Sequence, residues 1–250
     1  MSATRKHPRS IAAYSPRDRV AAYDADMEIM HPLRRRMVEV VLEVLPFGRS
    51  EPLLAIDLGT GTGLLAAKFL EKFSRARVTA VDGSAAMVEE AKSRLGKLSE
   101  RVRFVVSDFR ALPPEVAAAG SADAVITCFA LHHLTAEEKR TVIARALGYL
   151  KPGGWFLNAD LVMAGDPGIE GRIQELRVEG VVSRAPKGDS RFRDNATTRR
   201  FLDKLERGEK DRPLTLAEDL RVASDAGLAS VEVFWKEYRE VVWGGVKAGP

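Results

Sequence analysis

The stretch from Leu53 to Leu70, LLAIDLGTGTGLLAAKFL, sets three glycines at alternate positions, Gly59, Gly61 and Gly63, with Asp57 just ahead of them. Glycine lets a tight strand-to-helix turn take positive φ and lets a ligand lie close against bare main chain. A dinucleotide fingerprint would carry its third glycine three positions after the second, and that position is Leu64. Taken alone, the triplet is as well explained by a plain turn. Its neighbours add chemistry. Asp82 closes the next apolar run, where a carboxylate can accept hydrogen bonds from two ribose hydroxyls. Asp108 closes the run after that, in VVSDF, and can accept from an adenine amino group. The other reactive pair is in ALHHLT, His132 and His133, out of four histidines that also include His7 and His31. An imidazole there suits a general base, if an acceptor must lose a proton. The competing reading has one histidine packing and the other capping the helix that follows. Adjacent histidines do not share a helix face, so no metal pair is expected. Cys128, the single cysteine, reads as a small buried residue rather than a reactive thiol.

Those residues meet only if the chain brings them to one edge, and the patterning between Leu53 and Leu161 does so. Apolar runs (LLAIDL, RVTAVD, RVRFVVSD, ADAVITCFAL, GGWFLNADLVM) alternate with helix-like ones (GLLAAKFLEKF, SAAMVEEAKSRL, PPEVAAAG, TAEEKRTVIARALGYL). Strands without polar alternation are covered on both faces. Strand and helix in alternation imply a parallel sheet with right-handed crossovers, whose carboxyl edge takes ligands. Thr135 with Glu138 spells a capping box, and Pro152 in LKPGG stops the helix that begins there. Ahead of the sheet, Leu33, Met37, Val40, Val41 and Val44 recur at helical spacing, which assigns Arg34, Arg35 and Arg36 to the solvated side. From Gly165 to Arg212 the chain turns polar and arginine-rich, an insert of one or two helices. TLAEDLRVASDAGL then reads as a helix capped by Gly227, and ASVEVFWKEYREVVWGGVK as two closing strands.

The motifs AIDLGTGTG, VTAVDGSAAMVEEAK, VRFVVSDFRALP, ADAVITCFALHHL and LGYLKPGGWFLNADLV cover roughly Leu53 to Met163. In this order and spacing they resemble the class I S-adenosylmethionine-dependent methyltransferases. The resemblance implies an α/β, Rossmann-like, doubly wound seven-stranded sheet of order 3-2-1-4-5-7-6. Strand 7 would be antiparallel, with helices on both faces and a small helical cap. It implies a lid over residues 1–30 and a catalytic domain over 31–250 with its insert at about 165–212. It implies S-adenosyl-L-methionine as cofactor. Gly59, Thr60, Gly61 and Gly63 would pass under its methionine part, and Asp57 would lie near its ammonium. Asp82 would hold the ribose, Gly83 and Met87 would border the adenine, and Asp108 would bind its amino group. Phe109 would add a backbone or ring contact, while Cys128 and Phe129 would flank the sulfonium. His133 is the closer match to a base used by small-molecule members, with His132 beside it. Tyr23 would touch cofactor or acceptor from the lid, or else pack the first helix on the sheet.

Methyl transfer from a sulfonium is an in-line displacement by an acceptor held near attack geometry, with water excluded. The expected acceptor is a small molecule. The insert's arginines suit an anionic one, and a solvated helix surface accounts for them equally. The formal charge of +4 and a pI near 9.2 also prompt an RNA-methylating reading, although no aromatic-rich basic face is evident. A third reading, carboxy-S-adenosylmethionine synthase, would need Arg199 or Arg200 to hold a carboxylate. That family has asparagine where this chain has Cys128. A fourth is a non-catalytic cofactor-binding regulator. At 250 residues with 45% hydrophobic composition and no bilayer-length apolar run, the chain reads as a globular protein of the cytoplasm that does not enter a membrane. Its N-terminus has no acid before Asp18, which leaves an organellar presequence open. The closing strands offer an edge through which two copies could pair.

Overall fold

Residues 9–249 are described by a computed structural model. His7 and the first eight positions of the expected lid lie outside the described residues. The strands are β1 (Leu54–Leu58), β2 (Arg77–Asp82), β3 (Val102–Val106), β4 (Ala122–Cys128), β5 (Leu150–Leu161), β6 (Leu228–Glu237) and β7 (Glu240–Lys247). They form one sheet in the order β3-β2-β1-β4-β5-β7-β6, with β7 antiparallel to both neighbours and the first five strands parallel. This is the expected order and the expected reversal.

Both sheet faces are covered, which is why the strands lack alternation. Ala55, on β1, joins a core with α3 (Arg34–Val44), α4 (Leu64–Lys72) and α5 (Ala85–Leu95). Its neighbours Ile56 and Leu58 face α6 (Ala136–Tyr149) and α9 (Leu216–Asp225) on the other side. Thr135 and Thr215 each close a capping box, with Glu138 and Glu218. Lys139 of α6 and Asp219 of α9 form an ion pair with no exposure on either side chain, 2.5 Å apart. The insert holds α7 (Pro167–Arg184) and α8 (Asn195–Glu209), whose apolar faces close a third, small core with Met30. Met30 ends α2 (Arg17–Met30), which follows the short α1 (Arg9–Ala13).

Two expectations are corrected. PPEVAAAG is not an α-helix: one turn forms, at Pro114–Val116, and the chain goes extended at Ala117, φ −160°. Arg34 is buried, 8% exposed, while Arg35 and Arg36 lie in solvent as expected. Its guanidinium reaches Asp24 at 2.8 Å and lies over the Tyr23 ring; three, four and seven positions ahead of the buried Met37, Val38 and Val41, it shares their inward face. Most arginines of the insert are engaged too. Arg177 pairs with Glu206, Arg191 with Asp26 and Asp189, Arg193 with Asp194, and Arg199 with Asp203. They join helices or line a wet surface, and Arg177 also borders a pocket together with His132 and Asp211, so both readings of these arginines stand.

Candidate active site

The parallel register puts Asp57, Asp82, Asp108, Cys128 and Asp160 at one edge of the sheet. Leu58 pairs with Val81 and with Thr127, and Cys128 with Ala159. A cleft of about 780 Å³ opens there. Of the residues predicted from sequence, Asp57, Gly59, Thr60, Gly61 and Asp82 line it along the floor. Met87, Asp108 and Phe109 line one end, and Cys128, Phe129, His133 and Tyr23 the other. Gly63, Gly83 and His132 stand outside this lining. Gly63 caps α4 from behind, and Gly83 is covered by Ile11 of α1, which itself lines the cleft.

The glycine loop has local causes. Gly59 takes φ +74°, and a Cβ there would stand 2.4 Å from the Ala130 Cβ, so only glycine fits. Gly61, at φ +54°, would meet nothing within 4 Å: its bare face is turned to open space. The Gly59 and Thr60 amides donate to the Val81 carbonyl at 2.8 and 3.0 Å, and the Gly61 amide donates to Asp82 at 2.8 Å. Asp82 also accepts from the Ser84 amide at 2.8 Å. Burial raises its pKa, and these amides only partly offset that.

Asp57 accepts a 2.7 Å bond from Thr60 on one oxygen; the other oxygen is buried with no hydrogen-bond partner. Burial, with the nearby charge of Asp82, outweighs the Thr60 bond and pushes its pKa up to about 7. Such a carboxyl is short of a cation, and the ammonium of an amino-acid ligand would supply one. Asp108 is partly engaged: it caps the turn after β3 and binds the Arg110 side chain at 2.9 Å. Burial pushes the Cys128 thiol up to about 12, so it is a small packed residue rather than a nucleophile.

Phe129 follows β4 at φ +53°, a left-handed conformation that an aromatic residue rarely adopts. The twist makes Phe129, with Tyr14 and Tyr23, a wall shared by the cleft and a second chamber beneath α2 and α8. Tyr23 packs in the core and also lines the cleft. Burial pushes its phenol up to about 12.

At the junction lie the two histidines. His133 faces the cleft, His132 the chamber. They sit on a single tight turn, Leu131–His133, rather than on an α-helix, and both rings turn toward Asp211 from the insert. His133 Nδ1 stands 3.0 Å from Asp211 Oδ1, and His133 Nε2 stands 3.4 Å from the Tyr14 hydroxyl. His132 Nδ1 is 2.5 Å from Asp160, which also accepts the His132 amide at 2.9 Å. Burial alone would lower the His132 pKa; the charges of Asp160 and Asp211 outweigh it and raise the value.

Tyr14, Arg34, Asp160 and Asp211 escaped the sequence reading. Asp160 ends a strand as Asp82 does, so its position was a usable signal. Asp211 is one acid in a polar insert and carried none. Arg199 and Arg200, assigned to a carboxylate in one reading, lie exposed on α8 and are absent from the cleft lining.

Comparison with known proteins agrees with this geometry. Residues 55–154 match the family described as a methyltransferase domain. A malonyl-[acyl-carrier protein] O-methyltransferase of Geobacter sulfurreducens is 28% identical over 84% of this chain and 68% of its own length. An uncharacterized methyltransferase of Geobacillus kaustophilus is 30% identical, over 70% of each chain. Among solved structures, an O-methyltransferase family protein from Burkholderia thailandensis superposes with a TM-score of 0.64 at 25% identity, covering 95% of this chain and 64% of that one.

Proposed function

This chain belongs to the class I S-adenosylmethionine-dependent methyltransferases, and from that premise we propose that it methylates a small molecule held in the chamber behind Phe129. In this reading Asp82 holds the ribose hydroxyls, Asp57 meets the ammonium, and the bare face of Gly61 lies under the methionine part. Met87, Asp108 and Phe109 border the adenine. The donor's sulfonium then faces the shared wall of Tyr14, Tyr23 and Phe129.

The acceptor's lone pair forms the new bond to the methyl carbon as the carbon–sulfur bond breaks. Its electrons remain on sulfur as the neutral thioether of S-adenosylhomocysteine. A proton on the acceptor leaves toward His133, and Asp211 at 3.0 Å stabilises the charge it leaves there. Tyr14 and Tyr23 exclude water and orient the partners, which is most of what an already activated donor requires.

The observation that carries this reading is the joint wall: Tyr14, Tyr23 and Phe129 border both the cleft and a second space, with His133 on the first and His132 on the second. The test uses donor with a deuterated methyl, offered to small-molecule, tRNA and protein fractions of a cell extract. Label should appear in the small-molecule fraction; label confined to RNA or protein would overturn the choice of acceptor. Asp82→Ala should weaken donor binding by about a hundredfold, the loss of two charge-assisted hydrogen bonds totalling about 3 kcal/mol, as read by calorimetry.

A further inference from the structure

We infer that His132, His133 and Asp211 form a binding site for one divalent transition-metal ion of the zinc or cobalt type, lying between the donor cleft and the chamber. The three ligand atoms come within 4.8 Å of one another, and the histidine side chains are 5% and 10% exposed. His133 Nδ1 and Asp211 Oδ1 are buried and stand 3.0 Å apart, yet neither has a hydrogen-bond partner, because the approach is not along the N–H direction. His132 Nε2 is 3.7 Å from the same oxygen, too long for a hydrogen bond.

These separations suit ion pairs and equally suit ligands of one ion. Two atoms bound at about 2.1 Å to a common ion stand about 3.0 Å apart at a right angle and about 3.6 Å apart at 120°. The outer partners fit as well. A metal-binding histidine usually gives its other nitrogen to an oxygen acceptor, which fixes the tautomer and aims the free nitrogen. Here Asp160 takes His132 Nδ1 at 2.5 Å, and the Tyr14 hydroxyl stands 3.4 Å from His133 Nε2. Two imidazoles with one carboxylate favour borderline ions such as Zn²⁺ or Co²⁺ over Mg²⁺, which prefers an all-oxygen shell.

Neighbouring histidines diverge on an α-helix; on the Leu131–His133 turn, with a third ligand from the insert, they converge. With the ion bound, an acceptor hydroxyl on it would lose its proton more readily, and the ion would replace His133 in that task. That consequence rests on the proposed acceptor chamber; the binding of the ion does not.

The experiment is a Co²⁺ titration of the chelator-stripped full-length protein near neutral pH. Visible d–d bands should saturate at one ion per chain and bleach on addition of Zn²⁺. Asp211→Ala and His133→Ala should each weaken Co²⁺ binding by at least about tenfold. Calorimetry with S-adenosylmethionine on the same samples reports whether each variant is folded and tests the donor cleft separately; Asp211→Asn replaces any alanine variant that fails this check. A wild-type protein without saturable bands, or bands that survive both ligand substitutions, would overturn the inference.

Discussion

The buried oxygen of Asp57 that lacks a partner ties the proposed donor site to pH. Without a cation beside it the carboxyl holds a proton up to about pH 7, and a ligand ammonium would favour the ionised form. Donor affinity should therefore rise as the pH increases toward and through 7, with a proton released on binding below that point. Calorimetry in buffers of different ionisation enthalpy reads both, and Asp57→Asn should flatten the profile; a wild-type affinity independent of pH would contradict the assignment. The linkage to folding has the opposite sign. The native state holds this proton more tightly than the unfolded chain, so stability falls as pH climbs from about 4, where an ordinary aspartate titrates, to about 7.

At the scale of elements, the Lys139–Asp219 pair locks α6 to α9 without access to water. Lys139→Met leaves Asp219 buried and unmatched, at a cost of about 3–5 kcal/mol. In a chain of this length that is a fall in Tm of roughly 6–20 °C, readable by calorimetry. The double variant Lys139→Met with Asp219→Leu should recover most of it; a double variant as unstable as the single would assign the loss to packing. Nothing in the sequence marks this pair, since lysine and aspartate on amphipathic helices ordinarily face solvent. Arg34 is a partial case: it falls on the period of the buried Met37, Val38 and Val41, but no local pattern supplies Asp24 and the Tyr23 ring, the partners that let a guanidinium stay there. What could be read was what repeats: five apolar strands, their helices, and acids at strand ends. Asp211 and Tyr14 join the site only through tertiary packing, from the insert and from the first helical segment, and no local pattern announces where such segments dock.

For the molecule as a whole, five strands share one carboxyl edge. The segments outside that framework, α1 with α2 ahead of the sheet and the insert between β5 and α9, close over it. Among the described residues no helix is long and apolar enough to cross a membrane. The acids on that edge, in the proposed mode, grip the ribose and the ammonium, groups that methyl transfer leaves untouched. S-adenosylhomocysteine keeps both and lacks the methyl group and, with it, the positive charge at sulfur. Contacts common to donor and spent donor lower both free energies alike and contribute nothing to the chemical step. The two should therefore bind within about tenfold of each other, a gap of about 1.4 kcal/mol, and direct calorimetric titration of each will test it. An enzyme built this way is throttled by its own waste: sustained turnover depends on a scavenger that destroys the by-product as fast as it forms.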